Sequence, residues 1–268
     1  MPQFAANLSM LYPELSFLER FGAAAADGFK AVEYLFPYDF SPEQIKAELK
    51  SHNLENVLFN LPPGHWEAGE RGLAALPGRE AEFRDALELA ISYAKHLGTK
   101  QVHVMAGLQV ISGSAQQQAM HRSAMRYCYV NNLRYAAERL ASEGLRGLIE
   151  PINPRDIPGY FLNRQDDAIE ILDEVGSDAL ALQLDLYHCQ IVHGDLAKNI
   201  ERLLARAAHI QIASVPQRNE PDSGEINYRF LFDLIDRLAY QGWIGCEYRP
   251  ADPSPGGTSR GLAWMRAL

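Results

Sequence analysis

Short runs of apolar and β-branched residues alternate along the whole chain with longer stretches whose apolar residues recur at helical spacing. The runs that read as strands are 4–10, 31–36, 56–60, 101–106, 145–150, 181–185, 209–213 and 244–248. Amphipathic material follows them, as in 15–26, 42–51, 79–97, 116–143 and 166–175. Eight strands, each followed by a helix, match the count of a parallel (β/α)8 barrel, and this α/β architecture is the predicted fold. Ser41-Pro42-Glu43 supplies an N-cap with proline at N1, and Gly98, Gly144 and Gly176 stand just past three helical stretches, where helices stop. The connection after the third strand, 61–78, carries Pro62-Pro63-Gly64 and Pro77-Gly78. It is too long for a simple link and is expected to cover a site.

A length of 268 residues suits one such barrel, and no linker or shift in composition divides the chain, so one domain over 1–268 is expected. A doubly wound sheet is the competing α/β arrangement. It lacks support, because no GxGxxG follows the first strand and no GxxxxGK[ST] occurs. The 47% hydrophobic fraction excludes global disorder. Lys and Arg total 25 against 34 acidic residues, a formal charge of −9 without a basic cluster, which argues against a nucleic-acid partner. No apolar run approaches the ~18 residues of a membrane span, and the N-terminal stretch has no basic-then-apolar signal, so a soluble, cytoplasmic protein without a membrane partner is expected. Three scattered cysteines, Cys128, Cys189 and Cys246, fit a reducing compartment and offer no disulfide framework. No GxSxG elbow supports acyl transfer, and the methionines and aromatics of 120–135 read as core packing at helical spacing.

Parallel strands buried on both faces are nearly all apolar, so polar residues at their ends need a reason. Strand five ends in Glu150, strand six in Asp185, strand seven carries Gln211 and strand eight Glu247. A single buried acid ordinarily pairs with an arginine. Four polar positions in register at one end of a barrel point instead to a divalent cation, because three carboxylates there would otherwise repel and raise each other's pKa. Oxygen ligands suit Mg²⁺ or Mn²⁺ better than zinc. His188, three residues past Asp185, either turns back toward the ligands or is a hydrogen-bonded structural group. His103 is a substrate contact or a core histidine, and His65 with Trp66 either closes over a ligand or decorates a surface loop. Arg218 offers a guanidinium fork to a carboxylate substrate or is a solvated loop charge, and Glu33 serves the barrel mouth or an internal salt bridge.

The blocks Phe4-Ala5-Ala6-Asn7-Leu8-Ser9-Met10, Val32-Glu33-Tyr34-Leu35-Phe36-Pro37-Tyr38, Phe59-Asn60-Leu61-Pro62, Leu76-Pro77-Gly78-Arg79-Glu80, Glu150-Pro151-Ile152-Asn153 and Gly242-Trp243-Ile244-Gly245-Cys246-Glu247-Tyr248 occur in this order. In this the chain resembles the xylose-isomerase-like TIM barrels and, within them, the hydroxypyruvate isomerases and 2-oxo-tetronate isomerases. The resemblance implies a metal site of Glu150, Asp185, Gln211 and Glu247, with Glu150 and Glu247 as the paired proton donor and acceptor and His188 assisting the substrate. Gln211 stands where many relatives carry histidine, which implies weaker metal binding. The implied reaction is a metal-assisted aldose-ketose isomerisation of a small anionic hydroxy-keto acid. Hydroxypyruvate going to tartronate semialdehyde is the first expectation. A 2-oxo-tetronate going to its 3-oxo isomer is the alternative, since Val102-His103-Val104-Met105-Ala106-Gly107 resembles the four-carbon enzymes more closely. An apurinic endonuclease of the same superfamily would need a histidine-rich metal cluster and a basic groove. A catalytically dead barrel would be expected to have lost one of the paired glutamates. A homo-oligomer is left open.

Overall fold

The structure is a computed structural model and describes residues 2–109 and 113–268. Its strands are β1 (Gln3–Asn7), β2 (Ala31–Tyr34), β3 (Glu55–Asn60), β4 (Gln101–His103), β5 (Arg146–Ile149), β6 (Leu180–Asp185), β7 (Ala207–Ile212) and β8 (Trp243–Cys246). Between and after them come α1 (Glu19–Ala26), α2 (Pro42–Ser51), α3 (Glu80–Leu97), α4 (Ala115–Ser142), α5 (Gln165–Val175), α6 (Leu186–Val192), α7 (Leu196–Leu203), α8 (Tyr228–Arg237), α9 (Gly257–Gly261) and α10 (Ala263–Arg266). The strands are ordered β1 to β8 in a closed barrel, and β1–β2, β1–β8, β2–β3, β4–β5, β5–β6 and β7–β8 pair in parallel. All eight predicted strands form. None of the helices among the described residues is long and apolar enough to cross a membrane.

Several strands stop earlier than the apolar runs suggest. After β1 the N–H groups of Met10 and Leu11 turn back onto the Asn7 carbonyl. After β4, Ala106 leaves the ladder for an antiparallel bridge with Gly72. The predicted helix stops hold: Gly98 and Gly176 take the left-handed conformation at the ends of α3 and α5. The core reading of 120–135 fails in part, because Met120 and Tyr127 are 67% and 73% exposed. The first turns of α4 lie largely in solvent, and helical spacing alone does not report which part of a long helix has a partner.

The chain divides into two compact units, Met1–Phe59 with Leu184–Leu268, and Asn60–Gln183. In the first, Ala5, Ala6, Ala31, Val32, Ile210, Ile212 and Ile244 bury strand side chains, while α8 presents Tyr228, Leu231, Phe232 and Ile235 on one face. Phe4, Phe232 and Trp264 pack ring against ring at 5.0 to 5.9 Å, which fixes α8 and α10 against the start of β1. In the second, Phe83, Leu87, Ala90, Ile91 and Ala94 of α3 and Met125, Tyr129, Leu133, Ala136 and Leu140 of α4 recur at three- and four-residue spacing and are buried. Each fully buried Leu or Phe contributes about 1.5–3 kcal/mol. The three cysteines are buried and none is in a disulfide.

Helix α2 begins as its sequence predicts. The Ser41 side chain accepts from the Gln44 N–H at 3.3 Å, and the Gln44 side chain accepts from the Ser41 N–H at 2.9 Å, with Pro42 at the first helical position. Ser41→Ala is expected to cost about 1 kcal/mol in urea denaturation. An unchanged midpoint would show that the cap contributes nothing.

Candidate active site

In the first unit, strand ends deliver the chemistry. Asp185 is the last residue of β6 and also the N-cap of α6. Its Oδ1 accepts from the N–H groups of Tyr187 at 2.7 Å and His188 at 3.2 Å, so the strand-to-helix junction fixes the carboxylate plane. Its Oδ2 is buried and accepts no hydrogen bond among the described residues. The His188 Nε2 lies 3.6 Å and the Arg218 Nη2 3.8 Å from that oxygen.

Glu247 follows β8 directly, and its Oε2 accepts from the Arg218 Nη2 at 2.7 Å. Arg218 is held from three sides. Its guanidinium lies 4.8 Å over the Tyr187 ring, its N–H donates to Ser214, and its carbonyl accepts from the Arg249 N–H. Burial pushes the Asp185 carboxyl above its ordinary range, against the pull of Arg218 and of the two backbone N–H groups. Burial also pushes Glu247 well up, and the neighbouring Asp185 and Glu33 carboxylates add to this while Arg218 opposes it. Asp185, His188 and Glu247 each offer a ligand atom within 4.8 Å of the others.

Gln211, on β7, is oriented from behind. Its Nε2 donates to the Glu33 Oε1 at 2.9 Å, which assigns the amide oxygen to the opposite side. Glu33 Oε1 also accepts from the Asn7 Nδ2 at 2.9 Å, and Oε2 lies 2.5 Å from the His209 Nε2. Asn7, Glu33, His209 and Gln211 are all buried, so Glu33 takes the internal role of its two expected ones. A Cβ at position 245 would lie 2.3 Å from the Glu33 Oε2, and glycine there makes room for the carboxylate. Asn7 and His209 are absent from the expected site. His209 stands two residues before Gln211, which puts both on one face of β7, and that alternation is the signal that could have found it.

In the second unit, Glu150 follows β5 directly and is buried, with its Oε2 3.6 Å from the His103 Nδ1. Burial pushes the His103 pKa down to about 3, so its imidazole is neutral beside Glu150 and the two do not form an ion pair. Asn153 shapes the turn beyond Glu150 by accepting from the N–H groups of Arg155 and Asp156, both at 2.9 Å. His65 begins a single 3-10 turn, Trp66–Ala68, and is exposed. This unit brings His103 and Glu150 together and leaves His65 at the surface.

The donor chemistry of the first unit fits a hard divalent cation. Two buried carboxylates stand side by side, one Asp185 oxygen lacks a hydrogen-bond donor, and a single arginine supplies the fixed positive charge.

Residues 21–268 match the model of the family described as xylose isomerase-like TIM barrel. The chain belongs to that family. This xylose isomerase-like barrel is 55% identical over 266 residues to a 2-oxo-tetronate isomerase of Cupriavidus necator, covering 99% of this chain and 98% of the relative. It is 46% identical to the hydroxypyruvate isomerase of Escherichia coli, covering 99% and 98%. A crystal structure from Brucella melitensis, described as an AP endonuclease of family 2, superposes with a TM-score of 0.93 at 48% identity over 100% of this chain and 99% of that one. The predicted fold and the resemblance read from the sequence are both borne out.

The raised Asp185 and Glu247 carboxyls give the barrel a signed pH dependence. A carboxyl that holds its proton more tightly folded than unfolded withdraws stability as pH rises from the ordinary carboxylate range through the raised one. Metal-free protein is therefore expected to lose stability across that window, and Mn²⁺ to bind more tightly at pH 8 than at pH 6 with release of protons. Calorimetry in buffers of different ionisation enthalpy checks this. Mn²⁺ binding without proton release near neutrality would contradict the raised carboxyls.

Proposed function

We propose that the chain is a metal-assisted isomerase that moves the carbonyl of a small anionic hydroxy-keto acid between carbons 2 and 3, working as one barrel domain over residues 1–268. The observation that carries the reading is the buried Asp185–Glu247 pair, facing Arg218, in a chain 55% identical to a 2-oxo-tetronate isomerase and 46% identical to a hydroxypyruvate isomerase.

Asp185, Glu247, the Gln211 oxygen and Glu150 are the proposed metal ligands. Support for Glu150 comes from its position directly after β5, which matches that of Glu247 directly after β8. The all-oxygen set favours Mg²⁺ or Mn²⁺. When bound, such an ion supplies electrophilic stabilisation of the charge that develops on the substrate oxygens. One of Glu150 and Glu247 takes the proton from carbon 3, and the other returns a proton to carbon 2. The hydroxyl proton moves from the oxygen on carbon 3 to the oxygen on carbon 2, so the composition is unchanged. For hydroxypyruvate the product is tartronate semialdehyde.

Arg218 keeps Glu247 in place and contacts a substrate oxygen. His188, beside Asp185, and the neutral His103, beside Glu150, exchange hydrogen bonds with substrate hydroxyls without adding charge in the case of His103.

The four-carbon alternative rests on the 102–107 block, while identities of 55% and 42% to two 2-oxo-tetronate isomerases bracket the 46% to the hydroxypyruvate isomerase. The endonuclease reading suggested by the Brucella protein's description is disfavoured by a net charge of −9 and by a donor set with one histidine, His188. NMR of the Mn²⁺-loaded protein with hydroxypyruvate and with both 2-oxo-tetronate enantiomers is expected to show turnover, and turnover of none of them removes the reading. Glu150→Gln and Glu247→Gln are each expected to lower kcat by about 10²–10⁴-fold with circular dichroism unchanged. Near-full kcat in either variant would remove that residue from the proton transfer.

A further inference from the structure

A hydroxy-keto acid carries one carboxylate that the proton transfer does not use, and a carboxylate in a low-dielectric site needs a fixed cation. Arg218, the expected candidate, is directed at Glu247 and lies close to Asp185. Arg71 is placed differently. Its guanidinium carbon lies 3.7 Å over the Trp66 ring. Its Nη1 donates to the carbonyls of Trp66 at 3.0 Å and Glu70 at 2.7 Å, which uses both hydrogens of that nitrogen. The adjacent Glu70 carboxylate is taken by Arg79 and by the His65 N–H. Among the described residues no carboxylate forms an ion pair with Arg71, and its Nε–H and Nη2–H groups have no partner. That edge is the two-donor fork that grips both oxygens of a carboxylate. Stacking and two backbone bonds already hold its plane, so little side-chain entropy is left to lose on binding.

The backbone places this fork at the carboxyl end of the strands. Gly72, the next residue, bridges to Ala106 at a φ of +117°, and a Cβ there would lie 2.4 Å from the Met105 carbonyl oxygen, so only glycine allows the approach. The Ala75 N–H donates to Ala106 at 2.7 Å, and the Leu61 N–H donates to the His103 carbonyl at 2.9 Å. The connection is thereby clamped along the residues that follow β4, immediately beyond His103, whose ring faces Glu150.

We propose that Arg71, stacked on Trp66, binds the substrate carboxylate and selects hydroxy-keto acids over neutral ketoses. The identity of the substrate rests on the isomerase reading; the carboxylate site does not, and the two are tested separately. D-glycerate is an unreactive hydroxy acid and serves as the probe, with glycerol as the neutral control, in calorimetry on the Mn²⁺-loaded full chain. Arg71→Met is expected to weaken glycerate binding at least about tenfold, and Arg71→Lys, which keeps the charge but loses the fork, to fall between. In turnover, the preference for hydroxypyruvate over dihydroxyacetone is expected to drop at least about tenfold in Arg71→Met, mainly through KM. Glycerate binding within about twofold of wild type in Arg71→Met overturns the proposal, as does a wild type that binds no glycerate. Should Arg71→Met fail to fold, Arg71→Lys decides, since an unweakened lysine variant removes the need for a fork. A wild type that turns over no keto acid ends the isomerase reading, while the glycerate comparison still decides the role of Arg71.

Discussion

Two carboxylates, Asp185 and Glu247, are taken out of water at the ends of β6 and β8 with one guanidinium between them. Removing an ionised carboxylate from water costs several kcal/mol, and one arginine cannot offset two of them. The surrounding architecture keeps the arrangement from relaxing. Asp185 is locked by the junction of β6 and α6, and Arg218 is held by a ring, a loop carbonyl and a backbone donor. The residual repulsion can be relieved by a proton or by a divalent cation, and a site tuned between those two is suited to proton transfer under electrophilic assistance.

Glu33 shows the opposite way to bury an acid. Both of its oxygens are satisfied, by Asn7 and Gln211 on one side and His209 on the other. A fully partnered carboxylate is structural scaffolding, whereas the under-partnered Asp185 oxygen is a place where a ligand belongs. The two are linked through Gln211, whose amide nitrogen serves the scaffold and whose oxygen is thereby directed away from it. The buried Glu33 thus orients the Gln211 amide from behind, as outer-layer partners do in buried polar sites.

The barrel was readable because its strands are short apolar runs with turn residues between them, a pattern that side-chain burial on both faces enforces. Asp185 and Gln211 stood out for the same reason. The apolar runs place Glu150 and Glu247 at strand ends, but both lie one residue beyond them, where the ladder has already stopped. Asn7 and His209 are harder to read, because a polar strand residue bonded to a buried carboxylate is the same residue type as one facing solvent, and only the His209–Gln211 alternation marks a shared face. The length and turn residues of the 61–78 connection set it apart from the other links. Which of its side chains is organised depends on a stacking contact and on one close backbone approach, and neither leaves a periodic trace. The sequence points to His65 as a titratable group there, whereas the stacking contact organises Arg71.

The glycine of β8 that faces Glu33 couples two distant parts of the gene. Any side chain arriving at position 245 collides with the carboxylate at 33, so the eighth strand can vary there only after the second strand has shortened or lost its acid. Losing that acid strips the amide at 211 of its acceptor. Mutational paths through 33, 211 and 245 are therefore ordered: one buried carboxylate ties together the drift of three strands.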